Sequence, residues 1–194
     1  MFLLHQPSIA EIRRYLAARS ELSVSYSEVG ASRLGSPAGY PLNHYRCQLG
    51  TGSETFVRAV EGLRKWGMYE LDWTKLYWPD TPIVEGATVA ILAHHFGFWS
   101  LNPCRIIYVF EEEGMIQRNG FAFGTLPGHA EQGEERFMVE WDRISDSVWY
   151  DLFSFARPHQ TLAKLGSPLA RLIQRRFAKD SQRAMITFAC GQRA

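Results

Sequence analysis

The run Gly120-Phe121-Ala122-Phe123-Gly124-Thr125-Leu126-Pro127-Gly128-His129-Ala130-Glu131-Gln132-Gly133-Glu134-Glu135-Arg136-Phe137 decides the reading of this chain. Its first half alternates large and small side chains. Phe121, Phe123 and Thr125 fall on one face of a strand, with Gly120, Ala122 and Gly124 on the other. The small face lets a second element approach closely. Pro127-Gly128 suits a type II turn, with glycine where a positive φ is needed. A loop then carries His129, Glu131, Glu134 and Glu135, and a second strand is expected from Arg136 to Trp141.

The same period of two extends outward from this hairpin. It covers Asp72 to Trp78, Thr88 to Phe96, Cys104 to Phe110 and Val148 to Phe155. Turns are expected at Glu85-Gly86, Gly97 to Pro103, Glu113-Gly114 and Asp146-Ser147. Strands in succession joined by short turns make an antiparallel meander.

Helical signals frame the meander. Ser8 and Glu11 form a capping box ahead of Ile9, Ile12 and Leu16. Thr51 and Glu54 suggest a second box, followed by Phe56, Ala59, Val60, Leu63 and Trp66 at helical spacing. Gly67 stands where a left-handed C-terminal glycine would. Ser167 and Pro168 open a last helix with the stripe Leu169, Leu172, Ile173, Phe177 and Ala184. Ser20 to Asn43 is turn-rich, with one short strand expected over Ser23 to Val29. The class is α+β: a curved antiparallel sheet of about six or seven strands gripping a long C-terminal helix, with an extra N-terminal helix. Residues 1–39 read as an N-terminal extension and 40–194 as the main domain.

Composition narrows the function classes. The 194 residues are 46% hydrophobic and 21% charged, which excludes a disordered chain and a disulfide-stapled miniprotein. Lys plus Arg is 21 against 20 Asp plus Glu, so no nucleic-acid partner is expected. Cys47, Cys104 and Cys190 form no C-x-x-C pair and read as reduced thiols of a cytoplasmic protein. No stretch reaches the roughly 20 apolar residues of a membrane span. Past Gln160, Lys164, Arg171, Arg175, Arg176, Lys179, Arg183 and Arg193 face Asp180 alone. That basic face is either a solvated helix surface or a docking face for an acidic partner or a membrane surface.

A single apolar helical stripe cannot fill a wide concave sheet. The many strand rings either plug that space or line a pocket for a small apolar or aromatic molecule. Candidate ligand contacts are Arg105, Tyr108, Phe123, Thr125, His129, Glu135, Ser154 and Arg157. An enzyme using the same pocket would employ His129 as acid–base group, oriented by Glu134 or Glu135. A histidine with two carboxylates also suits a metal, but no recognised ligand spacing is present, and neither metal nor cofactor is expected.

The string GFAFGTLPGHAEQGEERF resembles the signature of a family catalogued as domain of unknown function nineteen-ninety, found in bacteria and plants. Leu49 to Trp66, Asn102 to Ile106 and Phe155 to Pro158 match it too, so the resemblance spans about Tyr40 to Met185. Ala156 stands where that family often has serine, and Ser181 where a tyrosine is expected. The family brings no established activity. From Tyr40 to about Phe188 the element order resembles the helix-grip fold of the START and birch-pollen-allergen-like superfamily. That resemblance implies a curved sheet closed by a helix around a cavity.

Overall fold

The period-two stretches pair in sequence order. The computed structural model describes residues 1–35, 37–158 and 167–191. Its strands are β1 (Phe2–Leu3), β2 (Leu42–Thr51), β3 (Thr74–Tyr77), β4 (Thr88–His95), β5 (Phe98–Glu112), β6 (Ile116–Thr125), β7 (Glu131–Asp142) and β8 (Ser147–Pro158). The helices are α1 (Ile9–Ala17), α2 (Ser53–Arg64) and α3 (Ser167–Ala189). The sheet order is β2-β8-β7-β6-β5-β4-β3, antiparallel throughout, and β1 adds to β5 beyond the end of β6. The sheet is curved, and α3 lies on its concave side. This is the helix-grip arrangement.

The two faces follow from alternation. Phe121, Phe123, Phe137, Leu152 and Tyr150 point inward and join Phe56, Ala59 and Leu63 of α2 with Ala178 and Met185 of α3 in the main core. On the outer face Ile12 and Leu16 of α1 pack on Ala90, Leu92 and Leu101. Tyr26 and Tyr40 pack there on Phe153 and Phe155. Helix α1 and Tyr26 thus lie against the sheet, with β1 inside its ladder.

Several local expectations hold. The Ser8–Glu11 box is formed, Ser8 N–H donating to Glu11 Oε2 at 2.7 Å and Glu11 N–H to Ser8 Oγ at 3.3 Å. The Pro127-Gly128 turn closes with His129 N–H on Leu126 O at 3.1 Å, Gly128 taking φ 99°.

Others are corrected. Thr51 does not cap α2: it ends β2, paired with Ser147, and Gly52 occupies the cap position without a side-chain bond. Gly67 is not the left-handed residue, since Trp66 adopts φ 59° instead. Gly67 is small because Phe188 lies on it; a Cβ there would stand 2.3 Å from Phe188 Cε2. No strand forms over Ser23 to Val29; Ser25 N–H reaches Thr125 O at 2.8 Å and the segment is otherwise held by side chains. The turn expected over Gly97 to Pro103 shrinks to Phe96-Gly97, with φ of 52° and 76°, the signature of a two-residue type I′ hairpin. Strand β7 begins at Glu131, five residues before the position expected. On α3 the buried line is Ala178, Ser181, Met185 and Ala189, while Leu172 is exposed. The capping role of Ser167, the side chain of Leu169, and the basic residues Lys164 and Arg193 lie outside the described residues.

Candidate functional site

The concave face and α3 do not meet everywhere. Between them is a cavity of ≈ 580 Å³, walled by rings of Tyr69, Trp73, Phe98, Phe123 and Phe177 and by a polar group centred on β7. That group exists because β7 starts early. Glu131 and Glu135 share the inward face, and Glu134 between them turns outward. In register, Glu135 sits between Phe123 of β6 and Ser154 of β8, and Ser154 pairs with Asn43 of β2. All four residues line the cavity.

The electrostatics of the site are set by burial. Burial pushes the Glu135 carboxyl up to about 8, nearby Glu131 adds to this, and a hydrogen bond from the Tyr69 hydroxyl opposes it. Glu131 is raised by burial as well, and partly relieved by Gln174 Nε2, which donates to its Oε1 at 2.6 Å. Burial drives His129 down to about 3, helped by the N-terminal ammonium. Its Nδ1 lies 2.9 Å from Glu131 N and 3.1 Å from Glu131 O, so the Glu131 backbone holds the ring in place. Thr125 Oγ1 accepts the Gly133 N–H at 3.1 Å and lies 2.6 Å from Ser25 Oγ. At the far wall His95 buries its Nδ1 without a hydrogen-bond partner among the described residues.

Of the residues singled out from sequence, Phe123, Thr125, His129, Glu135 and Ser154 line the cavity together. Arg105, Tyr108 and Arg157 do not. Arg105 pairs with Gly124 on the outer face, and its guanidinium donates to Ser20 O. A bulge between Ile106 and Tyr108 turns Tyr108 outward, where its hydroxyl lies 2.6 Å from Ser32 Oγ. Arg157 lies over the Tyr40 ring, 4.6 Å from its centre, on the same outer side.

Glu134 borders the cavity, but its carboxylate points away from it. It accepts from Tyr26 OH at 2.6 Å, Gly30 N–H at 2.8 Å and Ser32 N–H at 3.0 Å, and from Ser32 Oγ. It therefore pins the loop before β2 and cannot orient His129, which is held instead by the Glu131 backbone.

The candidate contacts read from sequence do not include Tyr69, Asn102 and Gln174, nor Glu131, which is placed in the loop but not among them. Glu131 was findable: it stands four residues before Glu135 and shares its face once the strand is extended that far. Gln174 had no signal, because it meets Glu131 only through the docking of α3. Among the described residues no three His, Cys, Asp or Glu side chains gather as metal ligands do, and no helix is long and apolar enough to cross a membrane.

Comparison with known proteins places this site in context. The family described as "Domain of unknown function (DUF1990)" matches residues 25–184. A Dictyostelium discoideum protein named "UPF0548 protein" is 37% identical over 205 residues, covering 96% of this chain and 94% of its own length. A Deinococcus radiodurans protein of the same name is 35% identical over 201 residues, covering 97% and 99%. A solved structure from Thermus thermophilus superposes with a TM-score of 0.52 at 13% identity, over 78% of this chain and 98% of that one. Likeness at that identity extends to the fold alone.

Proposed function

The chain belongs to the DUF1990 family, whose name carries no activity, and from the site itself we propose that it binds a small, largely apolar or aromatic molecule in the cavity. The observation that carries this reading is the ring-walled space of ≈ 580 Å³ with one polar row at its base. Cavities of a few hundred Å³ with mostly apolar walls and a few placed polar groups are the usual form of small-molecule sites. Phe123, Tyr69, Trp73 and Phe177 would cover the body of the guest, and Glu135, Ser154, Asn43 and Thr125 would orient its polar end. The three free thiols suit the cytoplasm as its place of action.

Trp73 on the cavity wall gives a built-in reporter. Titration with N-phenyl-1-naphthylamine, a fluorophore that brightens in apolar surroundings, is expected to saturate at one equivalent and to quench tryptophan emission. Ala156→Phe and Ser154→Phe, which project a ring into the space, are expected to abolish both signals while the folded far-ultraviolet dichroism is retained. Absence of saturable binding, or binding undiminished in both folded variants, refutes the reading.

A further inference from the structure

Resting on that reading, we propose that the cavity is built for a guest bearing a basic nitrogen, an amine on an apolar or aromatic body, held by Glu135 with Glu131 beside it. The fold itself supplies the comparison. Its other deeply placed carboxylates are all answered from within the chain. Glu134 has Tyr26, Gly30 and Ser32. Glu140 has Arg46 at 2.6 Å and Arg118 at 2.7 Å. Asp151 has Arg136 at 3.0 Å and His44 at 2.7 Å.

Glu131 and Glu135 face the cavity with neutral donors, Gln174 Nε2 on Glu131 and the Tyr69 hydroxyl on Glu135, and among the described residues no lysine or arginine lines it. The one amine nearby, the N-terminal one, donates to Leu101 O at 2.8 Å and Gly128 O at 2.6 Å. Burial pushes that amine down to about 5. A buried carboxyl without a cation is costly to ionise, and a guest that brings the cation removes the cost. The surrounding rings favour the same guest, because aromatic faces attract ammonium groups.

Binding then moves a proton. In the empty protein Glu135 is held in its acid form at neutral pH by burial and by Glu131. The titratable groups facing it are Glu131 on its own strand, Tyr69 before β3, Cys104 on β5 and Tyr150 on β8. Burial holds the protons of the last three in place. From α3 it meets the neutral Gln174 and Phe177 side of the cavity. An ammonium entering beside the acid converts R–NH3⁺ plus Glu135–COOH into R–NH3⁺ paired with Glu135–COO⁻. The O–H bond breaks, its electron pair stays on the carboxylate, and one proton leaves to solvent.

The test is calorimetric titration at neutral pH with 2-(2-naphthyl)ethylamine, 2-(2-naphthyl)ethanol and 2-naphthylacetate, in buffers of different ionisation enthalpy. The amine is expected to bind at least about tenfold tighter than the alcohol, with the acetate weakest. Close to one proton should be released with the amine and none with the alcohol. Glu135→Gln should bring the amine down to the affinity of the alcohol and end the proton release. Alcohol binding as tight as the amine, or amine binding untouched in Glu135→Gln, overturns the inference and leaves the cavity reading standing. Failure of all three probes overturns both.

Discussion

Replacing Glu135 by glutamine is expected to flatten the fall in stability between pH 4.5 and about 8, and the size of the effect follows from its surroundings. The carboxyl is raised from an ordinary 4.5 to about 8, first by burial and then by Glu131. The folded protein therefore holds this proton more tightly than the unfolded chain does. Below pH 4.5 both states carry it and the contribution to stability is complete. Between 4.5 and about 8 the unfolded chain releases it while the folded protein keeps it. Stability falls by about 1.4 kcal/mol per pH unit across that window, or roughly 5 kcal/mol in all. Glutamine has nearly the same shape and no proton to lose. Urea unfolding of both proteins at intervals from about pH 5 to about pH 8 gives the test, read as the change in their difference with pH. Any fixed cost of glutamine to packing cancels in that difference. His129 cancels too: lowered from 6.5 to about 3, it supports the fold above 6.5 and loses that support as pH falls through 3, equally in both proteins. Profiles that run parallel would refute the claim that the carboxyl is kept in its acid form.

Two further substitutions probe the frame around the cavity. Gly67→Ala places a methyl group 2.3 Å from Phe188 Cε2, and the loss of packing between α3 and the turn that follows α2 is expected to cost about 1–3 kcal/mol, read as a lowered Tm. Glu134→Ala leaves Gly30 N–H, Ser32 N–H and the Tyr26 hydroxyl without their acceptor, at about 1–3 kcal/mol for each group that stays buried. Protease cleavage between Ser20 and Gly35 should then precede global unfolding, and a cleavage pattern unchanged from the parent would show that the loop is held by other contacts.

The architecture was legible where local chemistry and tertiary role agree. Gly120, Ala122 and Gly124 opposite Phe121 and Phe123 could only be a strand with one crowded face, and Tyr26 does pack where a Gly124 side chain would be. Pro127-Gly128 carries its turn in its own φ preferences. Legibility failed where distant partners decide. Glu131-Gln132-Gly133-Glu134-Glu135 looks like a loop because polar runs usually are. It is a strand because its inward face meets a cavity and its outward face meets the donors of Tyr26 and Ser32, about a hundred residues earlier in the chain. Tyr108 was misplaced for a related reason. The extra residue Ile107 reverses the alternation of β5, and nothing in that apolar run announces a bulge.

The cavity itself is written in the inward rows that cross the sheet, and these become readable only once register is known. The row Asn119, Val139, Tyr150 and Cys47 lies beneath α2 and α3 in packed core; in the next row Phe121 and Phe137 remain in core while Leu152 and Tyr45 already border the cavity. One step further along the strands the row becomes Phe123, Glu135, Ser154 and Asn43, and beyond it stand Gly133 and Ala156. Side chains shrink and turn polar at the same step on neighbouring strands, so α3 has core to rest on at one end and open space at the other. A sheet meant only to seat a helix would continue the pattern of Phe137 into position 135, since an apolar ring there avoids the burial of an acid and fills the gap. The chain instead sets a carboxyl between a phenyl ring and a serine, facing a void. That choice weakens the empty protein and makes sense as a cost recovered when a guest with a complementary charge occupies the space.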